Sequence, residues 1–206
     1  MDPSAMGIVA NSLVANTPQA VLSFLYFTYN GLFTAMTSAA EYSSYGIKRK
    51  GLRVSAQPIG AQRTTYFLQL PYRFALPLLA FSALTHWLVS QAIFVVYIRW
   101  TPTPNYSSQN ILSCGWSPLA LICLILVTAA MIGFLLAMGC RKLESNIPVA
   151  GSCSAAIAAA CHQNDIDAMK KTVMWGVTSM DRGGILGHCS FSSREVEPPD
   201  EECVYA

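Results

Sequence analysis

Five soft or borderline metal ligands, Cys153, Cys161, His162, His188 and Cys189, fall within 37 residues of this chain. Thiolate and imidazole together suit Zn or Cu(I). At ~100° per residue, Cys153 and Cys161 differ by about 80° around a helix, so they can share a face. Their spacings match no finger or knuckle pattern. The competing reading makes the cysteines small apolar packing residues and the histidines surface or capping groups. His86 is a second point of chemistry, an ionisable group inside a long apolar segment. With Asn30 it forms a polar membrane seam, which can line a proton or substrate path or simply hydrogen-bond between helices. Cys140 stands directly before Arg141-Lys142, a juxtamembrane position open to palmitoylation or to plain burial. Asn105-Tyr106-Ser107 is a glycosylation sequon. The end, Cys203-Val204-Tyr205-Ala206, has the outline of a prenylation box, with Tyr205 at an aliphatic position counting against it. The chain contains no Gly-rich phosphate loop ending in Lys-Ser/Thr, no His-Glu-x-x-His and no Cys-x-x-Cys. No enzymatic reaction and no cofactor is therefore expected.

The elements that must position these residues are long and apolar. Charged residues are 12% of the chain, against ~25% in ordinary soluble domains. Segments 19–40, 74–98 and 117–139 each exceed 20 residues without Lys, Arg, Asp or Glu. At ~1.5 Å per residue each can cross a hydrocarbon core of ~30 Å. Six of the 13 Lys and Arg lie from Lys48 to Arg73 and six from Arg141 onward, leaving Arg99. By the positive-inside rule this puts the N-terminus outside and the C-terminal tail in the cytosol. The start has no basic n-region and no Arg-rich amphipathic stretch, so the first span is expected to act as its own insertion signal. The net charge of +2 is too small to point to nucleic acid.

Within this frame, Asn16-Thr17-Pro18 reads as a helix start. Ser23, Asn30, Thr34, Thr37 and Glu41 share one polar face, within roughly 60°. Gly31, Ala35 and Ala39 form a small-residue ridge on the first helix, and Ala129, Gly133 and Ala137 one on the third, of the kind that lets helices approach in lipid. Gln57-Pro58-Ile59-Gly60 marks a turn, and the stretch 64–73 mixes aromatics, Gln and Arg as interfacial segments do. Trp100 and Trp116 are expected as interface anchors. The Ala-rich run 149–161 is too short to span and reads as a small packing helix. Lys171 to Thr178 and Leu186 to Ser192 alternate enough for a short hairpin, and the acidic, Pro-containing end reads as disordered from about residue 195.

Leu25-Tyr26-Phe27-Thr28-Tyr29-Asn30-Gly31-Leu32-Phe33, Lys50-Gly51-Leu52-Arg53-Val54-Ser55, Thr65-Tyr66-Phe67-Leu68-Gln69-Leu70-Pro71-Tyr72-Arg73, Gly151-Ser152-Cys153-Ser154-Ala155-Ala156-Ile157 and Gly187-His188-Cys189-Ser190-Phe191 are arranged in order along the chain. Together they resemble a group of fungal multi-pass membrane proteins of unknown function, from about Val14 to the C-terminus. Members of that group carry further helices ahead of this region. The resemblance therefore implies the C-terminal part of such a protein, as a short paralogue or a fragment, and implies no activity.

The expected fold is all-α: an integral membrane protein with three transmembrane helices, an extracytosolic segment 1–18, a membrane domain 19–140 and a small cytosolic tail 141–206 with room for a short β-hairpin. The expected function is that of a non-enzymatic helix-packing membrane component. Its partners would be the lipid bilayer and other membrane helices, in a homo-oligomer or a larger membrane protein. The alternatives are a transporter or channel module built on Asn30 and His86, and a membrane-tethered metal or thiol sensor.

Overall fold

A computed structural model describes residues 5–99, 110–143, 145, 147–161, 170–181, 186–200 and 203–205. The chain divides into two compact units: Met1–Gly31 with Arg73–Ala137, and Leu32–Tyr72 with Met138–Ala206. Helix α1 (Ala5–Ser43) runs through the first boundary, so its first part belongs to one unit and its last turns to the other.

The first unit holds the start of α1, helix α2 (Tyr72–Ala92) and helix α3 (Pro118–Gly139). All three are long and apolar enough to cross a membrane. In α3, at a mean hydropathy of 2.9, no residue is buried; Leu119 is 73% and Leu126 64% exposed. The helices touch at specific polar points. Tyr29 donates from Oη to the Met131 carbonyl (3.1 Å), joining α1 to α3, and Gln19 joins α1 to α2.

Pro18 does not start α1; the helix continues through it from Ala5. Proline removes one helix N–H and crowds the carbonyl four residues back. Its two predecessors donate back to the helix just there: Asn16 Nδ2 to the Ser12 carbonyl (2.8 Å) and Thr17 Oγ1 to the Leu13 carbonyl (2.7 Å). The side chains that read as a cap thus serve as back-bonds inside a helix.

The second unit is built on a mixed sheet. Strands β1 (Lys50–Gly51), β6 (Thr172–Met180), β7 (Leu186–Ser192) and β8 (Val204–Tyr205) follow in that order, antiparallel except for the last pair. A parallel pair, β2 (Arg53–Val54) and β3 (Arg63–Thr64), lies in the loop after α1. Val173 and Trp175 alternate inward from β6 and meet Phe191 of β7, Ile147, Ala160 of helix α4 (Ser154–Ala160) and Tyr45 from the 3-10 turn Ser44–Gly46. Tyr42 and Tyr45 both meet Phe191 edge-on, at 5.6 Å and 5.4 Å between centroids. Such pairs add to what their buried area contributes.

The all-α expectation is overturned by the amount of sheet. Segments 172–180 and 186–192 are strands of a four-stranded sheet rather than an isolated hairpin. The second span does not reach Ile98: α2 stops at Ala92, and Ile93–Arg99 is strand β4, paired antiparallel with β5 (Asn110–Trp116). Ile93, Phe94, Val95, Val96, Tyr97 and Ile98 are β-branched or aromatic, and hydropathy cannot separate such a run from the end of an apolar helix. From residue 195 on, where composition reads as disordered, the described residues carry pairings. Val177 N–H donates to the Glu197 carbonyl (2.9 Å), and β8 pairs with β7.

Among the described residues, no neighbour sits on the glycines of the two small-residue ridges. A Cβ added to Gly31 or Gly133 would meet nothing within 4 Å. Ala39 instead receives the backbone of Gly151, where an added Cβ would lie 2.9 Å from Ala39 Cα and 2.7 Å from the Ser38 carbonyl oxygen.

Candidate functional site: a charged cleft at the end of α1

Glu41 ends the polar face of α1, and the irregular loop after the helix brings two arginines to it. Arg53 donates from Nε to both carboxylate oxygens, at 2.8 Å and 2.9 Å. Arg63 donates from a terminal nitrogen to Oε1 at 3.1 Å and to Tyr45 Oη at 3.3 Å. Each guanidinium is also tied to the backbone: Arg53 to the Thr64 carbonyl (2.8 Å), and Arg63 through Nε to the Gly51 carbonyl (2.9 Å). Arg53 stacks 3.8 Å over the centroid of the Tyr66 ring. One carboxylate against two guanidiniums leaves the cluster with an excess positive charge.

Gly51 is central to this geometry. Its carbonyl accepts from Tyr45 Oη (3.0 Å) and from Arg63, and a Cβ there would fall 1.7 Å from the Ala61 carbonyl oxygen. Only glycine permits that approach.

Beside the ion pair lies an open cleft of about 320 Å³, lined by Thr37, Ser38, Glu41, Arg53, Thr65, Tyr66, Gln69 and Pro71. Gln69 holds φ at 61°, the left-handed region that side chains other than Gly, Asn and Asp seldom adopt. Phe67 in the same loop is 85% exposed, while Leu70 is 1% exposed and anchors the loop. One turn up α1, the buried Thr34 Oγ1 has no hydrogen-bond partner among the described residues.

The residues singled out from sequence fall elsewhere. His86 is bonded through Nδ1 to Gln19 Oε1 (2.7 Å), and Gln19 Nε2 donates to the His86 carbonyl (3.2 Å). Asn30 is half-buried and is not the partner of His86. With α2 ending at Ala92, His86 lies six residues, about 9 Å, from the helix end.

Cys153 and Cys161 flank α4 and are exposed; His188 and Cys189 sit on β7. Among the described residues no three of His, Cys, Asp and Glu converge as a metal site requires. His162 and the sequon residue Asn105 lie outside the described residues. Burial pushes the Cys189 thiol up from the ordinary range, which disfavours the thiolate needed for metal or redox chemistry. Cys140 follows α3 directly and is exposed.

The Glu41 cluster was only half visible in the sequence. The polar face of α1 pointed to Thr37 and Glu41, but nothing in a loop without periodicity announces that Arg53 and Arg63 converge on them. Gln19 was hidden at the rim of an apolar run.

Comparison with curated proteins and with solved structures finds no match. A family profile described as a domain of unknown function (DUF8419) matches residues 3–197. That match covers nearly the whole chain, and the protein belongs to this family.

Proposed function

We propose that this is an integral membrane protein with three spans, α1, α2 and α3, its N-terminus extracytosolic and its C-terminal tail cytosolic. Its role is non-enzymatic: the apolar helices meet lipid and other membrane helices, and strands β1, β6, β7 and β8 lie on the cytosolic side. The observation that carries this reading is the pairing of β1 with β6. β1 precedes α2 and β6 follows α3, so Lys50 and Val173 must share one side of any membrane. Two crossings between them meet that requirement. A second pairing supports the other side: Cys114, between α2 and α3, bonds through Sγ to Asn11 Oδ1 at 3.4 Å. Asn11 lies near the start of α1, and again two crossings intervene.

The exposure of α3 along its whole length is what a lipid-facing helix presents. The positive residues of 48–73 and of the tail then lie together on the cytosolic side. The quoted resemblance to fungal multi-pass proteins is in keeping with this reading. Labelling of engineered thiols in intact cells tests it. With the seven native cysteines replaced by serine, a Ser108→Cys variant should react with an impermeant reagent and a Gln57→Cys variant should not. The reverse pattern, or release of the protein by alkaline carbonate, overturns it.

A further inference from the structure

We infer that the cleft beside Glu41 is a binding site for a phosphate ester, and that its natural source is the headgroup of an anionic phospholipid. Charge comes first. Glu41 is neutralised by Arg53, and Arg63 adds a second positive charge, so the cluster attracts an anion. Donors come next. Among the described residues, Arg53 engages three of its five N–H groups, on Glu41, Thr64 and Tyr66, which leaves one on each terminal nitrogen. Ser38 Oγ, Thr65 Oγ1 and the Gln69 amide line the same cleft and make no side-chain hydrogen bond among the described residues. A guanidinium with hydroxyls and an amide around it suits a tetrahedral oxyanion, which accepts in several directions at once.

Size and setting narrow the class further. At about 320 Å³ the cleft is at the small end of ligand sites, roughly 300–1,000 Å³, which suits a compact headgroup. Gln69 keeps its amide at the cleft in a backbone conformation that costs energy, and such outliers gather at ligand contacts. Phe67, two residues before it, is nearly fully exposed, as an aromatic beside acyl chains would be. Pro71 lines the cleft directly before the first residue of α2, so a headgroup held here would sit where a span begins. The lipid source rests on the membrane reading above; the phosphate chemistry does not.

The test uses the full chain in neutral detergent, with short-chain phosphatidic acid below its micellar concentration, short-chain phosphatidylcholine and inorganic phosphate as probes. Titration calorimetry should show saturable binding of phosphatidic acid and none of phosphatidylcholine. The double variant Thr65→Val/Gln69→Gly removes two donors while glycine tolerates the φ at position 69. It should weaken binding about tenfold or more, as loss of hydrogen bonds to a charged group does. Equal binding of inorganic phosphate supports the site and identifies soluble phosphate as the source. Absence of binding by both anions, or unchanged affinity in a double variant that unfolds at the same temperature as the parent, overturns the proposal. Carbonate extraction reports separately on the membrane reading, so either can fail alone.

Discussion

Replacing Glu41 with Gln keeps the size of the side chain and removes the negative charge that two guanidiniums share. The side chains of Glu41, Arg53 and Arg63 are 26%, 22% and 36% exposed, so the cluster is neither a surface pair nor a buried one. Exposed pairs contribute ~0–1 kcal/mol, while hydrogen bonds to charged groups contribute ~1.5–3 kcal/mol. A glutamine oxygen can still accept from one arginine, so part of the interaction survives. The second guanidinium is then left facing a like charge without a counterion. Together these place the loss at about 2 kcal/mol. Hydrogen exchange of the β6 amides reads it locally, because β6 belongs to the same unit as the cluster. A cycle with Arg63→Met should give a coupling near ~1 kcal/mol, as expected for residues in one network. A loss below ~0.5 kcal/mol with no coupling would show that water already serves the carboxylate and that the two guanidiniums add nothing to stability. The same substitution raises the excess positive charge, so it should tighten phosphate binding while it weakens the fold.

Gln19→Leu removes both bonds to His86 and should cost about 1 kcal/mol in thermal unfolding, whereas Asn30→Leu should cost less; the opposite ranking would refute the pairing. Gly51→Ala drives a methyl into the Ala61 carbonyl and should cost about 3 kcal/mol or more; a soluble, equally stable variant would contradict that contact. Gly133→Leu meets open space, so the stability of the single chain should change by less than ~0.5 kcal/mol, and a larger loss would mean the residue is covered. Burial raises the Cys189 thiol, so its neutral form is the one the fold favours. That contribution is intact below the usual thiol range near ~8.5 and is lost as pH rises above it. Alkylation of Cys189 should begin at higher pH than in an unstructured cysteine peptide; onset at or below the peptide's would refute the burial effect.

Hydropathy made the three long helices legible because each contains a long uncharged run, and α3 begins and ends within a residue of the segment read from composition. The end of α2 was illegible for a physical reason. Ile93 to Ile98 is as apolar as a span, and only its β-branched and aromatic character, together with the partner strand at Asn110–Trp116, makes it a strand. Pro18 misled in the opposite direction, since Asn16 and Thr17 carry the same side chains whether they cap a helix or bond back within one. The alternation of Val173 and Trp175 announced strand structure. The sheet they join was hidden because its first strand is two residues long and 121 residues distant, from Gly51 to Thr172. Of the cleft, the helix side could be read from the spacing of Thr37 and Glu41. The loop side depends on Gly51 and Gln69 conformations that no periodicity encodes.

The pairing of Gly51 with Thr172 also fixes an order of events during synthesis. At about 5–20 residues per second, the ribosome delivers the partner of β1 roughly 6 to 24 s after β1 itself. In that interval both later hydrophobic helices emerge, and the loop must wait without its sheet. What it does have at once is local: Glu41, Arg53 and Arg63 are separated by no more than 22 residues and can close as soon as the loop clears the exit tunnel. The bonds of the cluster therefore need nothing from the last third of the protein, whereas the strand at Lys50 and Gly51 has no partner until that part is made.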